Sequence, residues 1–131
     1  MIRTLVSDNS PFEPTIGFSR AVRVGNTIAV SGTAPIGPDG KTFAPGDLKA
    51  QTRRCLDIMI KAIERAGGEA RHIVRTRLML TDIARWREAA EAHGEMFRDI
   101  RPAATFVGVA RFIDPAWLIE TEADCVIPDP G

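Results

Sequence analysis

The sequence carries no excess charge of either sign. Its 17 lysines and arginines are matched by 17 aspartates and glutamates, so no global field draws the chain to a phosphate backbone or an anionic lipid surface. The arginines cluster locally, as Arg53 and Arg54, as Arg71, Arg75 and Arg77, and as Arg85 and Arg87, but acidic residues lie between the clusters, the usual pattern of solvated faces. No nucleic-acid partner is expected. Long apolar runs are missing too: nothing approaches the roughly 18 residues of a membrane span, and the N-terminus lacks the basic start and apolar core of a signal peptide. These absences predict a cytoplasmic protein with no membrane partner. Cysteine is scarce. Cys55 and Cys125 are far apart and lie in apolar-periodic segments, which predicts buried free thiols rather than a disulfide. With only His72 and His93 beside them, no zinc-ligand spacing, no nucleophile triad and no glycine-rich phosphate loop is present.

What is present is an ordinary globular balance. At 131 residues, 44% apolar and 26% charged, the chain suits a single domain over residues 1–131 with one core. The run from Ala21 to Ser31 reads as two β-rich segments joined by Gly25-Asn26, a pair that turns cheaply. The cluster Pro35, Gly37, Pro38, Asp39, Gly40, Pro45 and Gly46 then makes a surface loop. Asp47 caps a long amphipathic helix with apolar positions Leu48, Cys55, Met59, Ala62 or Ile63, and Ala66, closed by Gly67-Gly68.

Beyond it, Val74, Thr76, Leu78 and Leu80 alternate with Arg75, Arg77 and Met79, a strand with one apolar face. Thr81-Asp82 start a second helix whose stripe is Ile83, Trp86, Ala90, His93 and Phe97. His93 there is either a satisfied inner-edge histidine or a base. Arg101-Pro102 ends that helix, and a C-terminal hairpin follows: a strand through residues 105–112, a turn at Asp114-Pro115, and a last strand from Trp117 to Val126. The last strand sets Glu120, Glu122 and Asp124 on one face, a carboxylate ladder. The reading is an α+β domain: one mixed six-stranded sheet with two helices on one face. The other face mixes charge with Met79, Val107 and Val109, and association of subunits through it is the physical way to bury those residues.

The stretches Ile16-Gly17-Phe18-Ser19-Arg20-Ala21-Val22, Gly25-Asn26-Thr27-Ile28-Ala29-Val30-Ser31-Gly32, Gln51-Thr52-Arg53-Arg54-Cys55-Leu56, Arg101-Pro102-Ala103 and Glu120-Thr121-Glu122 together resemble the YjgF/Rid superfamily, also called endoribonuclease L-PSP or reactive-intermediate deaminases. The resemblance implies a chorismate-mutase-like fold and a homotrimer whose sheets form an inner barrel, with a small-molecule metabolite bound in a cleft at each subunit interface. For the archetypal members it implies hydrolysis of enamines and imines such as 2-aminoacrylate, without metal or organic cofactor.

Carried over residue by residue, the resemblance makes Glu120 the water-holding catalytic carboxylate. Phe18 stands where the family has a tyrosine, so that hydroxyl is missing, and Ala104 stands where the archetypal members have the arginine that grips the substrate carboxylate. Losing such a contact costs roughly 1.5–3 kcal/mol. Arg101 or Arg20 is left as a substitute cation, against plain structural roles at a helix end and a strand start. Ser31, Gly32 and Thr33 offer backbone groups after the first hairpin, and Phe18, Ala104 and Phe106 would form an apolar pocket. Three readings follow: a cofactor-free hydrolase of imines other than the 2-aminoacrylate type, a non-catalytic metabolite-binding trimer, and a ribonuclease, which the neutral charge disfavours.

Overall fold

The computed structural model describes residues 2–129. Along the chain run β1 (Arg3–Val6), β2 (Ala21–Val24), β3 (Thr27–Thr33), α1 (Leu48–Arg65), β4 (Ile73–Leu80), α2 (Trp86–Phe97), β5 (Ala103–Gly108) and β6 (Ile119–Val126). All six strands join one mixed sheet in the order β1-β2-β3-β6-β4-β5. Every pair is antiparallel except β4 with β5. Leu56, Met59 and Ile63 of α1 and Phe97 of α2 share one core with Ile28, Val30, Ala123 and Cys125 of the sheet. The α+β sheet with both helices on one face is therefore as the periodicity requires.

The expected C-terminal hairpin does not form. β5 pairs only with β4, and it does so in parallel, so β4, α2 and β5 make a crossover unit of the kind a helix must span. Residues 109–118 then carry the chain back past β4, and β6 inserts between β3 and β4. Both strands are also shorter than the pattern suggests, since β5 ends at Gly108 and β6 begins at Ile119.

Two stripes differ from expectation for local reasons. In β4 the register with β6 shifts between Ile73 and Arg75, so Ile73 is buried and Val74 stays 47% exposed. Before α2, the Asp82 side chain accepts from the Ala84 N–H and caps a tight turn over Ile83–Arg85. That turn has about three residues per repeat rather than 3.6, which rotates the helix face. The buried positions become Ala89, Ala92 and Phe97, while Trp86 remains 41% exposed with the Arg87 guanidinium over its ring.

Helix α1 begins as read, with the Asp47 carboxylate accepting from the Ala50 N–H at 3.0 Å, and ends at Gly67 with φ +91°. At Gly68 a methyl group would come within 2.8 Å of Ile28 and 2.9 Å of Ile63, so the chain leaves the helix pressed on the core. Arg53 makes a two-pronged contact with Glu95, with both hydrogen bonds at 2.9 Å. It and Lys49 hold the Glu95 carboxyl down at about 2; the pair is exposed and fixes orientation more than stability. Burial pushes the Cys125 thiol up to about 12 and raises Cys55 as well, which makes both free thiols inert.

The entry into β6 is set by Gln51, fully buried on α1. Its amide donates to the Ala116 carbonyl at 3.0 Å and accepts from the Leu118 N–H at 2.9 Å. Gln51→Leu keeps the volume but strands both backbone groups, so unfolding in urea should show a loss of about 1–3 kcal/mol per unpaired group. An unchanged midpoint would mean the 109–118 segment is held by other contacts.

Candidate functional site

β6 has neighbours on both sides, and its alternation is strict. Ile119, Thr121, Ala123 and Cys125 are buried under the helices, so Glu120, Glu122 and Asp124 point to the open face. Across the sheet, Arg75, Arg77 and Met79 of β4 stand opposite Asp124, Glu122 and Glu120. Arg77 reaches Glu122 at 3.1 Å and Asp124 at 3.5 Å. Glu120, facing methionine, has no hydrogen bond or ion pair among the described residues. The ladder therefore settles two of its carboxylates and leaves the third.

Beside Glu120 the β3–β6 register breaks between Val30 and Thr33, leaving Ser31 and Gly32 out of the ladder. A methyl group at Gly32 would sit 3.4 Å from Glu120 Oε1, so glycine is what lets the carboxylate approach the backbone there. Arg20 lies next to this bulge. It donates to the Gly32 carbonyl at 2.9 Å and to Thr33 Oγ1 at 2.8 Å, and pairs with Asp8 at 3.4 Å. The guanidinium also lies 5.9 Å from the centre of the Phe18 ring.

Burial raises the Glu120 carboxyl above its ordinary range; the Arg20 charge opposes the shift and Glu122 adds to it. The hydroxyls of Ser31 and Thr33 are committed to backbone, donating to Ser19 and Ser31 carbonyls respectively. Their contribution to any ligand would come from the main chain around Gly32.

The remaining site residues from the sequence lie elsewhere. In the parallel pair, Ala104 and Phe106 stand opposite Thr76 and Leu78, whose side chains are buried on the helix face. Ala104 is thus on the other face from Glu120 and two strands away, about 10 Å across the sheet at the usual strand spacing. It stays exposed because β5 is the sheet edge. Arg101 sits just before β5 with φ +55° and closes α2 through its backbone N–H on the Phe97 carbonyl at 2.8 Å. Within one chain, then, Phe18, Ser31, Gly32, Thr33 and Glu120 come together, while Arg101, Ala104 and Phe106 form a second group at the edge.

Sequence reasoning weighed Arg20 but could not see its anchors, since Asp8, Gly32 and Thr33 meet it only through the β1-β2-β3 pairing. Among the described residues no group of three or more His, Cys, Asp or Glu side chains could hold a metal ion. No helix is long and apolar enough to cross a membrane.

The family model described as endoribonuclease L-PSP matches residues 8–127, and the chain belongs to that family, the YjgF/Rid superfamily. A RutC family protein of Sulfurisphaera tokodaii is 32% identical over 95% of this chain and 98% of its own length. Among solved structures, a YjgF-family member from Mycobacterium tuberculosis aligns with TM-score 0.87 and 42% identity, covering 96% of this chain and all (100%) of that one. The YjgF gene product of E. coli aligns with TM-score 0.80 and 30% identity, over 95% of this chain and 98% of that one.

The raised Glu120 carboxyl makes a prediction about stability. Its folded form prefers the proton, so the ionised group destabilises the fold: the penalty is absent below the ordinary carboxylate value of about 4.3, grows as pH rises through the folded value, and is complete above it. Glu120→Gln should therefore melt at a higher temperature than the parent protein at pH 7, with the difference shrinking toward pH 4. A variant that is less stable at pH 7 than at pH 4, relative to the parent, would contradict the assignment.

Proposed function

We propose that this protein is a cytoplasmic, cofactor-free hydrolase of imines or enamines that lack a carboxylate, working as a homotrimer with a metabolite cleft between subunits. The observation that carries the reading is Glu120: half-buried, its carboxyl raised by that burial, without an ion pair among the described residues and beside an open bulge at Gly32. A carboxyl raised in this way is a better proton acceptor than an ordinary one and can return the proton it takes. Glu120 holds a water against the imine carbon and accepts its proton as the C–O bond forms. It returns that proton to nitrogen, giving a carbinolamine; the carboxylate then carries the carbinolamine hydroxyl proton to nitrogen as the C–N bond breaks and the C=O bond forms, and the products are a carbonyl compound and ammonia.

Assembly is supported by what a single chain leaves open. β5 is an exposed edge strand, a liability in isolation. The open face carries Leu5 at 60% and Val107 at 39% exposure around the charged ladder. The two groups of site residues would complete one cleft only if the β5 edge of one subunit met the Glu120 face of the next. The substrate preference follows from charge. Ala104 offers no cation, and the guanidinium of Arg20 is already engaged with Gly32, Thr33 and Asp8.

Several arginines of the sequence clusters are likewise occupied, Arg53 by Glu95, Arg85 by Glu88 and Arg71 by Glu69, which leaves little for a phosphate backbone. A second reading, binding without turnover, is favoured by the same alanine, because it removes the group that orients the archetypal substrate.

Imines generated in situ by an amino-acid oxidase acting on amino-acid amides and on free amino acids separate these readings. Ammonia release should accelerate for the amide-derived imines, and Glu120→Gln should lower the rate by about 100-fold or more, the usual worth of a positioned acid-base group. Light scattering should give three times the chain mass. Full activity in Glu120→Gln would remove the mechanism, and ligand binding without any turnover would leave the binding module.

A further inference from the structure

The imidazole of His93 lies where the β5 group of site residues needs a polar contact. His93 Nε2 is 2.8 Å from Thr76 Oγ1, and Thr76 is the register partner of Ala104 on the same face of the sheet. The ring also packs against Phe97 at 4.6 Å and edge-on to Phe106 at 5.7 Å between centroids. Phe106 is two residues from Ala104 along β5, so the imidazole touches both the cross-strand partner of Ala104 and its same-face neighbour along the strand.

Thr76 is fully buried, so its hydroxyl serves His93 from below. When it donates to Nε2, the ring proton sits on Nδ1, which makes no side-chain hydrogen bond among the described residues and becomes a donor for a carbonyl oxygen. Burial lowers the basicity of the ring, which favours its uncharged form.

We propose that His93 is a substrate-contacting residue. It occupies the subsite vacated by the family's arginine and, as a neutral donor, selects a ligand with an uncharged carbonyl head, an amide or ketone, over one with a carboxylate. The inference rests on the reading of the Glu120 cleft as a ligand site and adds to it the chemistry of the head group.

The test is calorimetry on the intact protein with two nearly isosteric probes, pyruvamide and pyruvate, alongside the 15N spectra of its imidazoles and backbone amides. Pyruvamide should bind about 10-fold more tightly, the worth of one well-placed hydrogen bond, and shift the His93 ring nitrogens. His93→Phe, which keeps the aromatic packing, should lose that 10-fold. Ala104→Arg should reverse the preference toward pyruvate.

Pyruvate binding as tightly as pyruvamide overturns the proposal, and so does pyruvamide binding that is unchanged in a folded His93→Phe. Should that variant not fold, the ring shifts in the parent protein decide alone. Pyruvamide shifts at Gly32 and Glu120 but not at His93 would leave the cleft standing and remove only this inference. Shifts at neither, or no binding of either probe, would remove both.

Discussion

A strand paired on both sides has two faces and no third place to put a charge, and β6 is that strand. Its core face must supply Ile119, Thr121, Ala123 and Cys125 to the layer under α1. With a side-chain period of two, the intervening Glu120, Glu122 and Asp124 are then forced onto the opposite face together. Three carboxylates two residues apart repel, and the sheet answers with β4, whose arginines fall opposite two of them. The third meets Met79. Glu120 is thus a product of register: the pairing that closes the core leaves one acid with a hydrophobic neighbour on one side and a backbone bulge on the other.

Much of this was visible in the chain. The alternation in β4 and β6, the Asp47 cap, the Gly67-Gly68 stop and the carboxylate ladder all follow from local spacing, and the motifs around Phe18, Ser31 and Glu120 lead to the family whose model matches residues 8–127. What local spacing could not give was which strands become neighbours. Two β-rich runs joined by Asp114-Pro115 read as a hairpin, yet the connection over residues 109–118 is long enough to cross a strand, and β4 takes the place between them. The same limit hid the anchoring of Arg20, which depends on three strands meeting. Bulges were invisible for a related reason: a single residue out of register at Ile73–Arg75 reverses which of two adjacent aliphatics is buried.

The topology error has a consequence for the site. In a hairpin, Ala104 and Glu120 would have lain on adjacent strands within one subunit. With β4 between them and their side chains on opposite faces, no rotamer of a single chain brings them to the same small molecule. Either the two groups serve different ligands or copies of the chain combine them. The exposed β5 edge and the apolar residues around the ladder favour combination, because both costs of the isolated chain are relieved by one association.

Charge then argues for the kind of ligand. A carboxylate substrate needs a cation that is free to turn toward it, and near the bulge Arg20 is already held in place by Gly32, Thr33 and Asp8. Moving Arg20 to a ligand would leave the Gly32 carbonyl and Asp8 without their partner, so the gain of one charge-assisted contact is offset by the loss of others. An uncharged head group would incur no such exchange in the proposed cleft, where it would meet the Glu120 carboxyl on one side and the His93 imidazole on the other. Replacing one arginine by alanine would by itself only weaken a site. Doing so where His93 and Thr76 already present a hydrogen-bonded pair would, on the proposed reading, turn the same space from reading charge to reading a carbonyl.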